Sequence, residues 1–182
     1  MPKSKSAYSV PTKKEKSDTY IFVVWVDNES GVLARVVGLF SGRGYNIESL
    51  AVAEVDAMKN ISRITIVTTG TPQVIDQIKL QLKKLVPVHK VADFKREDKK
   101  VIFKEMALLK FVGQKKKIEK CLKACKNFDP VVLDKTKQYI VIQITSLRRE
   151  IDTRSKKLKP IGLISTSRTG AIAMTRGAEV FK

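Results

Sequence analysis

The stretch "DNESGVLARVVGLFSGRGYNIESL", Asp27 to Leu50, carries the reading of the fold. Val32, Leu33, Val36, Val37 and Phe40 recur at helical spacing, so an apolar stripe turns one face of a helix toward a core. Gly42 and Gly44 offer a stop, because glycine takes the left-handed cap conformation without a steric penalty. Asn28, Ser30 and Gly31 stand just before this helix and Asn46 just after it. None of the four is an acid, a base or a strong nucleophile. They either start and stop a helix or also hold a ligand.

Outward from this helix the pattern is regular. "YIFVVWV" (20–26) is apolar on both faces, as a central strand is. "NIESLAVAEV" (46–55) and "ISRITIVTT" (61–69) form a hairpin around the polar turn "DAMKN". In "TPQVIDQIKLQLKKLV" (71–86), Thr71 suits the N-cap and Pro72 the first helical position, with Ile75, Ile78, Leu82 and Leu85 as the apolar face. "PVHKVADF" (87–94) closes the unit, whose order is βαββαβ.

Polar "KREDKK" (95–100) reads as a linker, after which the order repeats. "VIFKEMALLKFV" (101–112) is a strand, and "KKKIEKCLKACKNF" (115–128) is a helix buried through Ile118, Cys121, Leu122 and Cys125. "PVVLD" and "QYIVIQIT" make a hairpin, "LRREIDTRSKKL" (147–158) a weaker helix, and "IGLISTSRTGAIAM" (161–174) one or two final strands. The fold class is therefore α+β: two ferredoxin-like βαββαβ domains, 20–94 and 101–182, with helices on one face of each antiparallel sheet. The other sheet face, or an edge, is then open to a partner. Residues 1–19, "MPKSKSAYSVPTKKEKSDT", read as a disordered basic tail that lacks the apolar centre of a secretory signal. No apolar run approaches the ~20 residues of a membrane span, and the default location is cytoplasmic.

The inventory for catalysis is poor. His89, the single histidine, lies in an alternating strand with no evident partner, and a structural role suits it better than that of a general base. Asp27 and Glu29 suit the positive end of the helix that follows rather than a carboxylate pair. Cys121 and Cys125 share one helix face and read as buried thiols in a reducing compartment, too few for a metal site. "SGRGYN" is neither a phosphate-binding loop nor a dinucleotide fingerprint. No active site and no metal are expected on this chain.

Charge is uneven. The net charge is +18; residues 1–94 carry 13 basic against 9 acidic side chains, and residues 95–182 carry 23 against 9. A basic half invites an anionic partner, or is a solvated lysine-rich surface. RNA binding by a βαββαβ domain stacks bases on aromatic residues of the central strands, but "ISRITIVTT" has none and "QYIVIQIT" only Tyr139, so the pattern speaks against nucleic acid as the partner.

"NESGVLARVVGLFSGRGYNIESLAV", with "SRITIV" and "QIKLQLKKLVPVHKV", closely resembles the small, regulatory subunit of acetolactate synthase (acetohydroxyacid synthase). "EMALLKF" and "LKPIGLISTSRTGAIAMTRG" extend the resemblance more loosely to the C-terminus. The resemblance implies an N-terminal ACT domain that binds an amino-acid effector at a homodimer interface, followed by a second ferredoxin-like domain. It implies a large catalytic partner that uses thiamine diphosphate, Mg and FAD, with no cofactor on this chain. The implied task is to activate that partner and to make it sensitive to feedback by valine, with leucine or isoleucine as alternatives, in branched-chain amino-acid biosynthesis. Asn28, Gly31 and Asn46 are the positions implied to contact the effector, with Ser30, Val32 and Ile47 lining the site. The chemistry suits a zwitterion: helix N–H groups for the carboxylate, close approach at Gly31, and asparagine side chains that both donate and accept. The strongly basic C-terminal half departs from the family's pattern: it either docks an acidic catalytic subunit or, more simply, is solvated. A stand-alone amino-acid sensor is the rival function.

Overall fold

The structure is a computed structural model, and residues 16–178 are described. Of the basic tail read over 1–19, residues 1–15 lie outside the described residues. The first strand starts earlier than expected, with Asp18 and Thr19 paired to Gly70 and Thr69.

The first unit runs β1 (Asp18–Asp27), α1 (Val32–Ser41), β2 (Ser49–Asp56), β3 (Ile61–Gly70), α2 (Pro72–Leu82) and β4 (Val88–Lys95). Its sheet is antiparallel, in the order β2-β3-β1-β4. The second unit repeats the plan with β5 (Val101–Val112), α3 (Lys115–Cys125), β6 (Val131–Lys135), β7 (Tyr139–Ser146), α4 (Arg148–Leu158) and β8 (Leu163–Arg168), in the sheet order β6-β7-β5-β8. A further strand, β9 (Ile172–Thr175), pairs with the first residues of β5.

Each core follows from the side-chain period. Alternate residues of β1 point to opposite faces, so Phe22, Val24 and Val26 meet the helices, together with Ile64 and Ile66 of β3. From α1 they meet Val32, Val36, Leu39 and Phe40; from α2, Ile75, Ile78 and Leu82. The α1 stripe is thus rotated from the expected one. Leu39 joins the core, Val37 is half-buried, and Leu33 is 40% exposed. Thr71 caps α2, its hydroxyl accepting from the Val74 N–H at 3.4 Å. In the second unit Leu109, Phe111, Ile140, Ile142 and Ile144 pack on Ile118, Cys121, Cys125, Ile151 and Leu158.

The face of the first sheet turned away from its helices is not open, contrary to the expectation from sequence. Ile21, Val23 and Val67 on that face are covered by Val101 and Phe103 of β5, Ala173 of β9 and the neighbouring Ala171. Phe94 and Phe103 sit 6.5 Å apart between ring centroids. β5 is long enough to serve both units: its first four residues pair with β9 over the first sheet, and Glu105 onward pairs with β7 in its own. "TGAIAM" gives little sign of this, because small alanines packed against a sheet resemble a loop.

Both cysteines are buried free thiols, as read. Cys121 Sγ donates to the Ile161 carbonyl, and burial pushes the Cys125 thiol up to about 11.

Candidate functional site

The residues singled out by sequence cluster at two places. At the end of β1, the Asn28 N–H donates to the Asn60 carbonyl at 2.7 Å, so the "DAMKN" hairpin turn holds the backbone. Asn60 itself takes a positive φ of 54°, which asparagine tolerates better than most side chains. The Asn28 side chain is fixed as well, its Oδ1 accepting from the Ser62 hydroxyl at 3.0 Å. With that oxygen engaged by the protein, the amide NH2 is the part of the side chain left for a ligand. Ser62 is buried on β3, and sequence reading passed over it. Its signal was a hydroxyl at the same phase as Ile64 and Ile66 in an apolar strand.

Neither Asn28 nor Ser30 caps α1. Gly31 occupies the N-cap with φ 85°, and no side chain accepts from the first turn. That left-handed backbone needs glycine, and a Cβ built there would meet nothing within 4 Å. The opening turn is therefore a set of N–H groups at the positive end of a helix, with open space before it. Ser30 is exposed, whereas Val32 is a core residue at 4% exposure and packs inward rather than lining the surface.

The carboxylate reading of Asp27 also changes. Its Oδ1 lies 2.5 Å from His89 Nε2 across the sheet, so His89 has a partner and Asp27 faces the imidazole rather than the helix dipole.

Asn46 and Ile47 stand at the opposite end of α1. Gly44, not Gly42, takes the left-handed conformation (φ 69°). The loop that follows is well anchored. Tyr45 packs edge-on against Phe40 at 6.2 Å, and its hydroxyl donates to Gln77 Oε1. The Asn46 carbonyl accepts from Thr68 Oγ1 at 2.6 Å, while the side chain is exposed. Ile47 is half-buried against the first core.

The two clusters do not meet within one chain. Asn28 is tied to Ser62 and Asn46 to Thr68, six residues apart on β3, which is about 20 Å along a strand. Three clefts of about 590, 670 and 650 Å³ lie between the sheets and beside α4, and none of the three is lined by Asn28, Gly31 or Asn46.

Comparison with known proteins agrees with the resemblance read from sequence. Residues 22–90 match the model of an AHAS small subunit-like ACT domain, and residues 104–177 match that of the small subunit of acetolactate synthase. The chain is 37% identical to the acetolactate synthase small subunit of Buchnera aphidicola subsp. Baizongia pistaciae, over 85% of this chain and 96% of that one. The chain belongs to the acetolactate synthase small subunit family. The small subunit of Aquifex aeolicus is 36% identical over 90% of this chain and 84% of its own. The crystal structure of the Thermotoga maritima small subunit superposes with a TM-score of 0.79 at 30% identity, covering 88% of this chain and 99% of that one.

Membership gives the chain a regulatory, non-catalytic role. Among the described residues no group of three or more His, Cys, Asp or Glu side chains is placed to hold a metal. No helix among them is long and apolar enough to cross a membrane. The rival RNA reading also meets a physical obstacle. In the first unit the sheet face on which an RNA-binding domain stacks bases is occupied by Phe103, Ala171 and Ala173.

Proposed function

We propose that this chain activates a large, thiamine-diphosphate-dependent catalytic subunit of acetolactate synthase and confers feedback inhibition by valine, leucine or isoleucine being the alternatives. The effector site is shared between two copies of the chain: Asn28 and Gly31 from one protomer, Asn46 and Ile47 from the other. Mg and FAD belong to the catalytic partner, and the location is cytoplasmic. The domain expected over 20–94, extended by Asp18 and Thr19 of β1 and Lys95 of β4, is the effector-binding and dimerising domain, and the unit that starts at Val101 is the second regulatory domain.

The observation that carries this reading is the separation of the two clusters on β3. A free amino acid spans only a few ångströms, so it cannot bridge about 20 Å of one strand. Two copies joined at their β2 edges can bring the clusters together. β2 is the edge of its sheet, with Val52 and Val55 44% and 50% exposed. Val52 lies opposite Ile64, on the helix face, and Leu33 of α1 is exposed and Val37 half-buried. A twofold axis pairs such edges antiparallel, and that places the α1 N-terminus of one protomer beside the α1–β2 loop of its partner. There the helix N–H groups and the Asn28 amide address the carboxylate, and Asn46 the ammonium.

The test is a calorimetric titration of the purified chain with valine, leucine and isoleucine, followed by inhibition of the enzyme reconstituted with its catalytic subunit. Saturable binding of one of them, lost in Asn28→Ala, supports the site. Neither binding nor inhibition with any of the three refutes the effector assignment.

A further inference from the structure

The α1–β2 loop is held from the second domain as well as from its own. Inside the first unit, the Glu48 N–H donates to the Val67 carbonyl at 2.8 Å, and Glu48 Oε1 accepts from Thr69 Oγ1 at 2.5 Å. The Glu48 carbonyl, however, accepts from Arg148 Nη2 at 3.0 Å, and Arg148 is the first residue of α4. One residue further on, Ser49 Oγ accepts from the Ala171 N–H at 3.3 Å. Gly170, in the turn between β8 and β9, lies so close that an added Cβ would stand 2.8 Å from Ser49 Oγ and 3.3 Å from the Leu50 carbonyl. Its φ of 83° independently demands glycine.

Both grips on this loop share one carboxylate, Asp152. Arg148 Nε faces Asp152 Oδ2 one turn along α4, at 4.0 Å. Asp152 also accepts from Arg168, which leads into the Gly170 turn. Arg168 in turn makes a two-pronged contact with Glu105, at 2.7 and 2.8 Å, and Glu105 is 2% exposed. A buried carboxylate is retained only when charge-assisted donors satisfy it, so Glu105 holds Arg168 in one geometry. From Glu105 through Arg168 and Asp152 to Arg148, the second domain presents a fixed donor to a backbone carbonyl two residues from Asn46.

We propose that Arg148 is a positioning residue for the effector site: with the Gly170 turn it sets the Glu48–Ser49 peptide, and through it the Asn46–Ile47 half of the site. This rests on the assignment of Asn46 to the effector. By reciprocity, an effector that fixes Asn46 also changes the hold of α4 on Glu48, which gives the second domain its reading of effector occupancy. The loop is the shared element: the effector meets it from the partner's side, and Arg148 from behind.

The test uses the reconstituted holoenzyme with Arg148→Ala, Arg148→Lys and Gly170→Ala, and reads the valine concentration for half-inhibition. Arg148→Ala is expected to raise it roughly tenfold, the scale of one charge-assisted hydrogen bond, and Arg148→Lys to recover part of that loss. Hydrogen exchange on the full chain supplies a second reading that a general loss of stability would not reproduce. Valine slows amide exchange at residues 147–152 in the wild type, and the slowing disappears in Arg148→Ala while that in the first turn of α1 remains. A valine-sensitive wild type with an equally sensitive Arg148→Ala, and no valine effect at 147–152, overturns this proposal alone. A wild type indifferent to all three branched-chain amino acids overturns the effector assignment and this proposal with it.

Discussion

The Ser62 hydroxyl donates to Asn28 Oδ1 at 3.0 Å, and this bond decides which way the Asn28 amide faces. Ser62 touches no ligand in the proposed site, yet it leaves the Asn28 NH2 for the effector carboxylate. Ser62→Ala therefore frees the side chain to rotate and costs the orientation worth one hydrogen bond, about 1 kcal/mol. The expected outcome is a valine Kd raised roughly fivefold by calorimetry, with unchanged stoichiometry.

Gly31 separates backbone strain from electrostatics. Gly31→Ala places a Cβ in open space, so its cost is the positive φ, about 1 kcal/mol of stability measured by urea denaturation. Gly31→Asp adds a negative charge where the carboxylate is expected to bind. Valine inhibition should disappear in Gly31→Asp while activation of the catalytic subunit persists, as measured by enzyme assay. Inhibition that survives in Gly31→Asp places the effector elsewhere.

Phe103 joins the two units, since it belongs to β5 yet packs on Ile21, Val23 and Val67. Phe103→Ala should cost about 3 kcal/mol and uncouple the sheets. Trp25 is the single tryptophan and borders this cluster, so its fluorescence reports on the joint. In urea, the fluorescence and circular-dichroism transitions should coincide for the wild type and separate for Phe103→Ala. Coincident transitions in the variant would mean that the contact is incidental.

Cys125 sets a pH dependence. Burial raises its thiol from 9.0 to about 11, so between these values the unfolded chain has lost a proton that the folded chain retains. Stability from this group is full below pH 9 and is lost progressively as the pH rises through 11, by on the order of 2 kcal/mol. The slope of unfolding free energy against pH in that window should be shallower in Cys125→Ala than in the wild type. For the same reason, iodoacetamide at pH 8 should label the native thiols slowly and the urea-unfolded ones fast.

What sequence made legible was whatever repeats. The continuous apolar run of "YIFVVWV" and a period near 3.6 in the helices carried the βαββαβ units, and Gly42 and Gly44 marked the end of α1. Contacts that join distant parts of the chain left no such trace. Phe103 and Ala173 cover the first sheet because β5 overshoots its own unit, which no local pattern announces. His89 finds Asp27 only through the pairing of β4 with β1. Arg148 binds a backbone carbonyl, for which any residue would serve at position 48, so no side-chain motif marks it. The rotated α1 stripe has a related cause. Leu33 and Val37 follow the helical period yet stay outside the fully buried core, and periodicity cannot tell a core face from an exposed one.

The central claim is that the effector site belongs to two protomers at once, and complementation between variants tests it most directly. Asn28→Ala and Asn46→Ala chains, each with a different affinity tag, are mixed and the heterodimer is isolated. One of the two sites at its interface then joins both defective residues, and the other joins an intact Asn28 to an intact Asn46. Calorimetry should find one valine site per heterodimer, against two in the wild-type dimer and none in either parent variant. A heterodimer that binds no valine, beside a wild type that binds it, would mean that Asn28 and Asn46 act within a single chain.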